Sequence, residues 1–169
     1  MEYFYISQDK QYMNTPYIEN FYKYYYPNMF CPEQSDRIPD NNVVYTKRAG
    51  VSEYIDLLSG PILLVSLRMK RVLEAYDDLL YKMFFILNLS SDQGEIYYAP
   101  IVEKEDCLKI KKEAGKTCLV LSESKAAGKS ILKPAKVEFR GGLVIDMMVA
   151  ESLLRRELRG IHYQRLEVE

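Results

Sequence analysis

The sequence is poor in the residues that most often carry catalysis or bind metals, with one histidine, three cysteines and no tryptophan in 169 residues. His162 lies far along the chain from every cysteine, and no Cys-x-x-Cys pair accompanies it, so we expect no zinc site. No serine, threonine or cysteine stands in a nucleophile motif, and the commonest general base is nearly missing. We therefore predict no catalytic residue, no metal, no cofactor and no enzymatic activity.

Long apolar runs are also missing. The longest, such as residues 83–89, are far shorter than the ~20 residues that cross a bilayer. The first residues, Met-Glu-Tyr-Phe-Tyr, lack the positive charge that leads into a secretory signal, and the cysteines are odd in number and widely spaced. We expect a cytoplasmic protein that does not enter a membrane.

The net charge of −1 gives no overall attraction to nucleic acid, but the charges are unevenly distributed. Residues 1–40 hold six acids and three bases, whereas residues 104–136 hold nine lysines and four acids. A protein partner or a nucleic acid would respond to such a division. Because no aromatic residue lies between Tyr98 and Phe139, the lysine-rich segment lacks a base-stacking surface, and nucleic acid is the less favoured partner.

Two similar units organise the chain. In the first, an apolar strand at residues 62–65 runs into a helix that Ser66 can cap, with apolar residues recurring every three or four positions. In the second, residues 143–145 lead to Asp146, another capping residue, and to a helix followed by Gly160. The similarity between the two units reflects either an ancient duplication or an arrangement that is common in α+β proteins.

We predict a single α+β domain over residues 1–169 with a mixed or antiparallel sheet and two main amphipathic helices, at about 66–80 and 147–159. Within it, an irregular tyrosine-rich segment, residues 1–45, is expected to pack on a core formed by residues 46–169. A helical turn or a short helix is expected at 52–58. Strands are expected at 2–6, 43–45, 82–89, 95–102, 118–121, 137–140, 143–145 and 161–168.

Two Gly-Lys-Thr/Ser triplets, at residues 115–117 and 128–130, resemble the end of a phosphate-binding loop. The earlier glycine of that loop is replaced by Ile110 in one case and by Glu123 in the other. We interpret both triplets as turns.

Tyrosine is the one residue type in excess. Eight of the fifteen tyrosines precede residue 27, and Tyr24, Tyr25 and Tyr26 are consecutive. Neighbouring side chains point in different directions on any regular element, so these three rings cannot all face inward. They indicate either an interface, where tyrosine is favoured, or rings that cover a core below an irregular segment.

The chain resembles the bacterial immunity proteins of polymorphic-toxin systems, specifically immunity protein family eleven. The resemblance covers residues 60–90 and 137–168. It rests on Pro-Ile-Leu-Leu-Val-Ser-Leu-Arg-Met-Lys-Arg-Val-Leu at 61–73, Phe139-Arg140, Leu143-Val144-Ile145, Leu153-Leu154, and Leu-Arg-Gly-Ile-His-Tyr at 158–163. The chain departs from the family pattern at Asp146, where a serine is more typical, and in its N-terminal third.

This resemblance implies a stoichiometric inhibitor that binds a cognate toxin domain and occludes its active site over roughly 800 Å² per partner. We expect the anchors on segments that the core constrains least: Tyr24, Tyr25 and Tyr26, with Glu103, Glu105 and Asp106. Those acids, which lie among lysines, are otherwise typical of a solvated face. A regulatory or scaffold module that binds another protein is the alternative, followed by a small nucleic-acid-binding protein.

Overall fold

The computed structural model describes residues 1–46 and 52–169, which form an α+β fold. The strands in these ranges are β1 (Tyr3–Gln8), β2 (Asn41–Thr46), β3 (Leu57–Leu58), β4 (Leu64–Ser66), β5 (Leu80–Asn88), β6 (Gln93–Ile101), β7 (Lys104–Glu105), β8 (Leu108–Glu113), β9 (Lys116–Leu121), β10 (Ile131–Pro134), β11 (Leu143–Asp146), β12 (Ile161–Arg165) and β13 (Glu167–Val168). The helices are α1 (Phe21–Tyr24), α2 (Leu67–Glu74), α3 (Glu123–Ala126) and α4 (Met147–Arg155). Short 3₁₀ turns occur at Pro27–Met29, Ser35–Arg37 and Val137–Phe139.

In the described residues the strands form three sheets. The prediction of a single sheet is therefore wrong. The β1 sheet has the order β12-β1-β11-β10-β7, the β9 sheet has the order β13-β9-β8, and the β5 sheet has the order β2-β5-β6-β4-β3. Both antiparallel and parallel pairs occur: β1 is antiparallel to β11 and β12, whereas β2 is parallel to β5. Of the two predicted alternatives, mixed or antiparallel, the mixed arrangement is therefore the one that is present.

Helices α2 and α4 lie side by side over the central core. Met69, Val72 and Leu73 of α2 and Leu153 of α4 are buried together with residues of both the β1 sheet and the β5 sheet. The opposite face of the β1 sheet packs on the β8–β9 hairpin and α3 through Tyr3, Tyr5, Leu121 and Ala126 among others. The inner face of the β5 sheet is covered by the N-terminal segment, through Ile18, Phe21, Met29, Phe30 and Ile38.

The predicted helix caps are confirmed. The Ser66 hydroxyl accepts a hydrogen bond from the Met69 N–H at 3.1 Å, and the Asp146 carboxylate accepts one from the Val149 N–H at 2.9 Å. Both helices are shorter than predicted, because the chain turns at Ala75 towards β5 and because Glu157 adopts a left-handed conformation, with φ of 53°, after α4. No described helix is long and apolar enough to cross a membrane.

Three further expectations are corrected. Residues 137–140 form a 3₁₀ turn instead of a strand, and residues 52–58 end in β3 instead of a helix. The closing strand divides, since β12 joins the β1 sheet and β13 joins the β9 sheet. The first Gly-Lys-Thr triplet begins in the β8–β9 turn, where Ala114 and Gly115 both have positive φ, which is typical of a type I′ hairpin.

Candidate protein-interaction surface

The outer face of the β5 sheet is the face opposite the one that the N-terminal segment covers. It is apolar, and α2 covers only part of it. Val43 and Tyr45 on β2 stand in register with Phe85 and Leu87 on β5, and Phe85 stands opposite Ile96 on β6. Val43 is 53% exposed, Tyr45 45% and Ile96 41%, while the two β5 side chains are half-buried. A surface of this kind, on a strand edge and the two strands beside it, is unusual on a monomer unless it binds something.

Helix α2 explains why this face is covered at one end and open at the other. The Lys70 ammonium of α2 lies 5.0 Å from the centre of the Tyr81 ring and 5.1 Å from that of Tyr98, both on the outer face. The helix also packs on β4 and β6, but β2 lies at the far edge of the sheet. The side chains near β2 are therefore left in contact with solvent.

A glycine on β6 holds the Phe85 ring against the sheet. A Cβ atom added to Gly94 would lie 2.4 Å from Cζ of Phe85, so the ring occupies the space that any other side chain would fill. A glycine within a strand often marks such a close approach. The Phe85 ring therefore packs over the backbone of β6 at Gly94.

One edge of β2 pairs with β5, and among the described residues its other edge pairs with no strand. The Asp40 carbonyl accepts a hydrogen bond from the Met83 N–H, and the Thr46 carbonyl accepts one from the Leu89 N–H, so both point towards β5. The Tyr45 carbonyl points to the opposite side of β2, where it accepts a hydrogen bond from the Glu19 N–H at 2.9 Å. Peptide groups alternate in direction along a strand, so those of Val43 point away from β5 as those of Tyr45 do. A groove of about 540 Å³ runs along this edge.

The structure separates the three predicted tyrosines. Tyr24 is 66% exposed and lines the groove together with Tyr25. The Tyr25 ring stacks on Phe21 at 4.9 Å, and its hydroxyl donates to Oδ1 of Asn42 at 2.8 Å. Burial raises the pKa of Tyr25. Through its ring stacking and its hydrogen bond to Asn42, Tyr25 attaches the segment to β2. Tyr26 is 53% exposed and is not among the residues that line the groove.

The three predicted acids lie elsewhere, at the β7 edge of the β1 sheet. Glu105 accepts a hydrogen bond from the Lys129 ammonium at 2.5 Å, which lowers the pKa of its carboxyl. Asp106 lies 3.9 Å from the Lys136 ammonium, and Glu103 is exposed. The Lys104 ammonium donates to the Pro27 carbonyl at 3.1 Å, so this edge contacts the segment that follows Tyr26, but not the groove.

Among the described residues, four of the nine lysines in the lysine-rich segment form ion pairs with acids: Lys111, Lys125, Lys129 and Lys136. Lys111 lies 3.1 Å from a carboxylate oxygen of Glu113 and 2.7 Å from one of Glu169. Lys129 and Lys136 pair with the acids just described. The segment keeps an excess of positive charge, with nine lysines and four acids, and these pairs place acids among its lysines.

Sequence reasoning missed Val43, Tyr45, Phe85, Leu87 and Ile96. The run of apolar residues at 83–89 is typical of a strand that is covered on both faces, and nothing local in it indicates that one face stays open. In the described ranges, no group of three or more His, Cys, Asp or Glu side chains is placed to hold a metal. The chain matches no protein-family model and none of the curated proteins with which it was compared.

Proposed function

We propose that the chain is an immunity protein that binds a cognate bacterial toxin domain and covers its active site. The observation that carries the proposal is one continuous apolar surface at the edge of the β5 sheet. We call it the β2 surface. It consists of Tyr24, Val43, Tyr45, Phe85, Leu87, Leu89 and Ile96. Aromatic residues with an apolar surround and a polar rim are typical of the centre of a protein interface.

The proposed mechanism is steric occlusion. A stable interface covers about 800 Å² per partner, so the β2 surface would form its centre, and Glu19 and Arg37, which line the groove, would belong to the rim. Tyr24 and Tyr45 are the expected anchors, because large rings at the centre of an interface carry a major share of the affinity. Side chains on a sheet are held rigidly, so little entropy is lost on binding.

The charge of the N-terminal segment favours a basic partner, while the groove itself is lined by one acid, Glu19, and one base, Arg37. Residues 1–40, which provide Tyr24 and one wall of the groove, contain six acids and three bases. A toxin domain that acts on nucleic acid is expected to carry positive charge, and opposite potentials raise the rate of association. The open edge of β2 also offers the Val43 peptide groups to an extended segment of the toxin.

The first prediction concerns Tyr45→Ala. It should weaken binding to the cognate toxin domain, sought as a toxin module in a neighbouring gene, at least tenfold, because it removes a central ring and leaves the fold intact. Leu154→Ala is the matched control, since Leu154 is 59% exposed on α4. Affinity is measured by calorimetry with a catalytically inactive toxin, and protection is measured by co-expression with the active toxin.

The possible results distinguish an error in the proposed interface from an error in the proposed immunity function. If the wild-type chain protects cells and Tyr45→Ala binds as tightly as wild type, the interface lies elsewhere. If the wild-type chain neither binds nor protects, the immunity function is wrong, and a scaffold or regulatory module that uses the same surface becomes the better reading. Binding to nucleic acid that weakens steeply with salt would instead favour the lysine-rich segment.

A further inference from the structure

Two lysines stand directly opposite each other in the β1 sheet. Lys133 on β10 is in register with Lys104 on the parallel strand β7. Like charges in such a pair destabilise a sheet. Lys104 is exposed, but Lys133 is only 6% exposed, so one of the two ammonium groups is held inside the protein.

A small cavity lies beside this pair. It has a volume of about 30 Å³, and it is lined by Lys104, Lys133 and Arg140 together with apolar residues that include Phe30 and Leu63. None of the described residues that line it is acidic. Two lysines and an arginine thus line one apolar cavity to which the described residues contribute no carboxylate.

The buried ammonium is only partly satisfied by the chain. Lys133 donates to the Arg140 carbonyl at 2.9 Å, and Lys104 donates to the Pro27 carbonyl at 3.1 Å. An ammonium has three N–H donors, and a buried charge is costly unless it is paired. Burial, followed by repulsion from Lys104, lowers the pKa of Lys133 to about 7.

We propose that this cavity binds a carboxylate group between Lys104, Lys133 and Arg140. The cavity volume of about 30 Å³ is above the roughly 10–15 Å³ that one water molecule requires, which suits a carboxylate head and not a larger anion. A guanidinium and a carboxylate match in geometry, and two ammonium groups add charge-assisted hydrogen bonds. The bound carboxylate would turn the repulsion between the lysines into a paired network.

Two sources have this chemistry: a free small carboxylate, or an Asp or Glu side chain that a protein partner inserts. The cavity lies apart from the β2 surface, because the two share no lining residue. The inference therefore holds or fails independently of the proposed immunity function.

The test is NMR of lysine side-chain signals during titration at constant ionic strength. Its probes are sodium acetate, the blocked peptide N-acetyl-Gly-Asp-Gly-amide and the corresponding Asn peptide, with sodium chloride as the reference anion. Acetate or the Asp peptide should shift the Lys133 signals saturably and raise its pKa by at least one unit, whereas the Asn peptide should not. Acetate binding supports a free carboxylate, and binding of the Asp peptide alone supports a side chain of a partner.

Three variants make the assignment specific. Lys104→Met, an exposed position that does not threaten folding, should weaken the binding at least tenfold while Lys133 remains observable. Lys133→Met should abolish the binding, followed here through the Lys104 side-chain signals, and should raise Tm by several degrees, because it removes a buried charge. Lys112→Met, exposed on β8, should change neither. The proposal is overturned if neither carboxylate gives a saturable shift, or if chloride acts as strongly as acetate.

Discussion

Replacing Asp56 with alanine is expected to lower the free energy of unfolding by about 3 kcal/mol, since it breaks a buried network of hydrogen bonds around a charge. Asp56 is 6% exposed. Its carboxylate accepts hydrogen bonds from the Ser66 hydroxyl at 2.5 Å and from the Arg159 N–H at 2.6 Å. Its own peptide N–H donates to the Arg159 carbonyl, and its carbonyl accepts from the Ser66 N–H.

This one residue therefore joins three parts of the fold: the segment before β3, the cap of α2 and the turn after α4. The turn is tight as well, because Gly160 has φ of 78° and a Cβ atom there would lie 2.5 Å from Cδ1 of Ile55. Without the carboxylate, the Arg159 N–H loses its acceptor and the capping hydroxyl loses its orientation. Each unsatisfied buried group costs about 1–3 kcal/mol.

Urea unfolding followed by circular dichroism measures the change. Asp56→Asn should lose less than half as much stability as Asp56→Ala, because the amide oxygen can still accept from the Arg159 N–H while the amide NH2 donates to the Ser66 hydroxyl oxygen. Asp78→Ala, at an exposed position, is the control and should stay within about 0.5 kcal/mol of wild type. Equal losses for the alanine and asparagine variants would show that the charge, not the hydrogen bonds, is what matters.

The parts of the fold that were predicted from sequence are those fixed by neighbours along the chain. Ser66 and the stripe of Met69, Val72 and Leu73 specify α2 locally, and both caps are where the sequence indicated. The division into three sheets was not predictable in this way. The parallel pairs β2–β5 and β13–β9 join residues far apart in sequence, and the alternation of a strand does not say which strand lies beside it.

In the candidate site, too, the features set by neighbours along the chain were predicted, and those set by long-range packing were not. That residues 24–26 cannot all face inward follows from local geometry, and it is confirmed by the exposed rings of Tyr24 and Tyr26 on either side of the stacked Tyr25. Val43 and Phe85 remain accessible because α2 packs on β4 and β6 and not on β2. This depends on tertiary packing, which the local sequence does not specify. The opposition of Lys104 and Lys133 likewise exists only once β7 and β10 have paired.

The free energy of unfolding should rise with pH between pH 7 and 9 in the wild-type protein relative to Lys133→Met. The pKa of Lys133 is about 7 in the folded protein, against 10.5 for an ordinary lysine. Above pH 7 the folded state loses this proton while the unfolded state keeps it, so the unfolded state binds more protons and stability increases with pH. Below pH 7 both states are protonated, and this stabilisation is lost.

The slope for one proton is about 1.4 kcal/mol per pH unit, so the difference between the two proteins should change by about 2.5 kcal/mol by pH 9. Urea unfolding at a series of pH values measures it. Burial raises the pKa of Cys107 to about 11, which lowers stability only above pH 9 and does so equally in both proteins. Parallel pH profiles for the two proteins would contradict the prediction. Saturating acetate should flatten the rise, because a carboxylate bound beside Lys133 keeps its ammonium protonated.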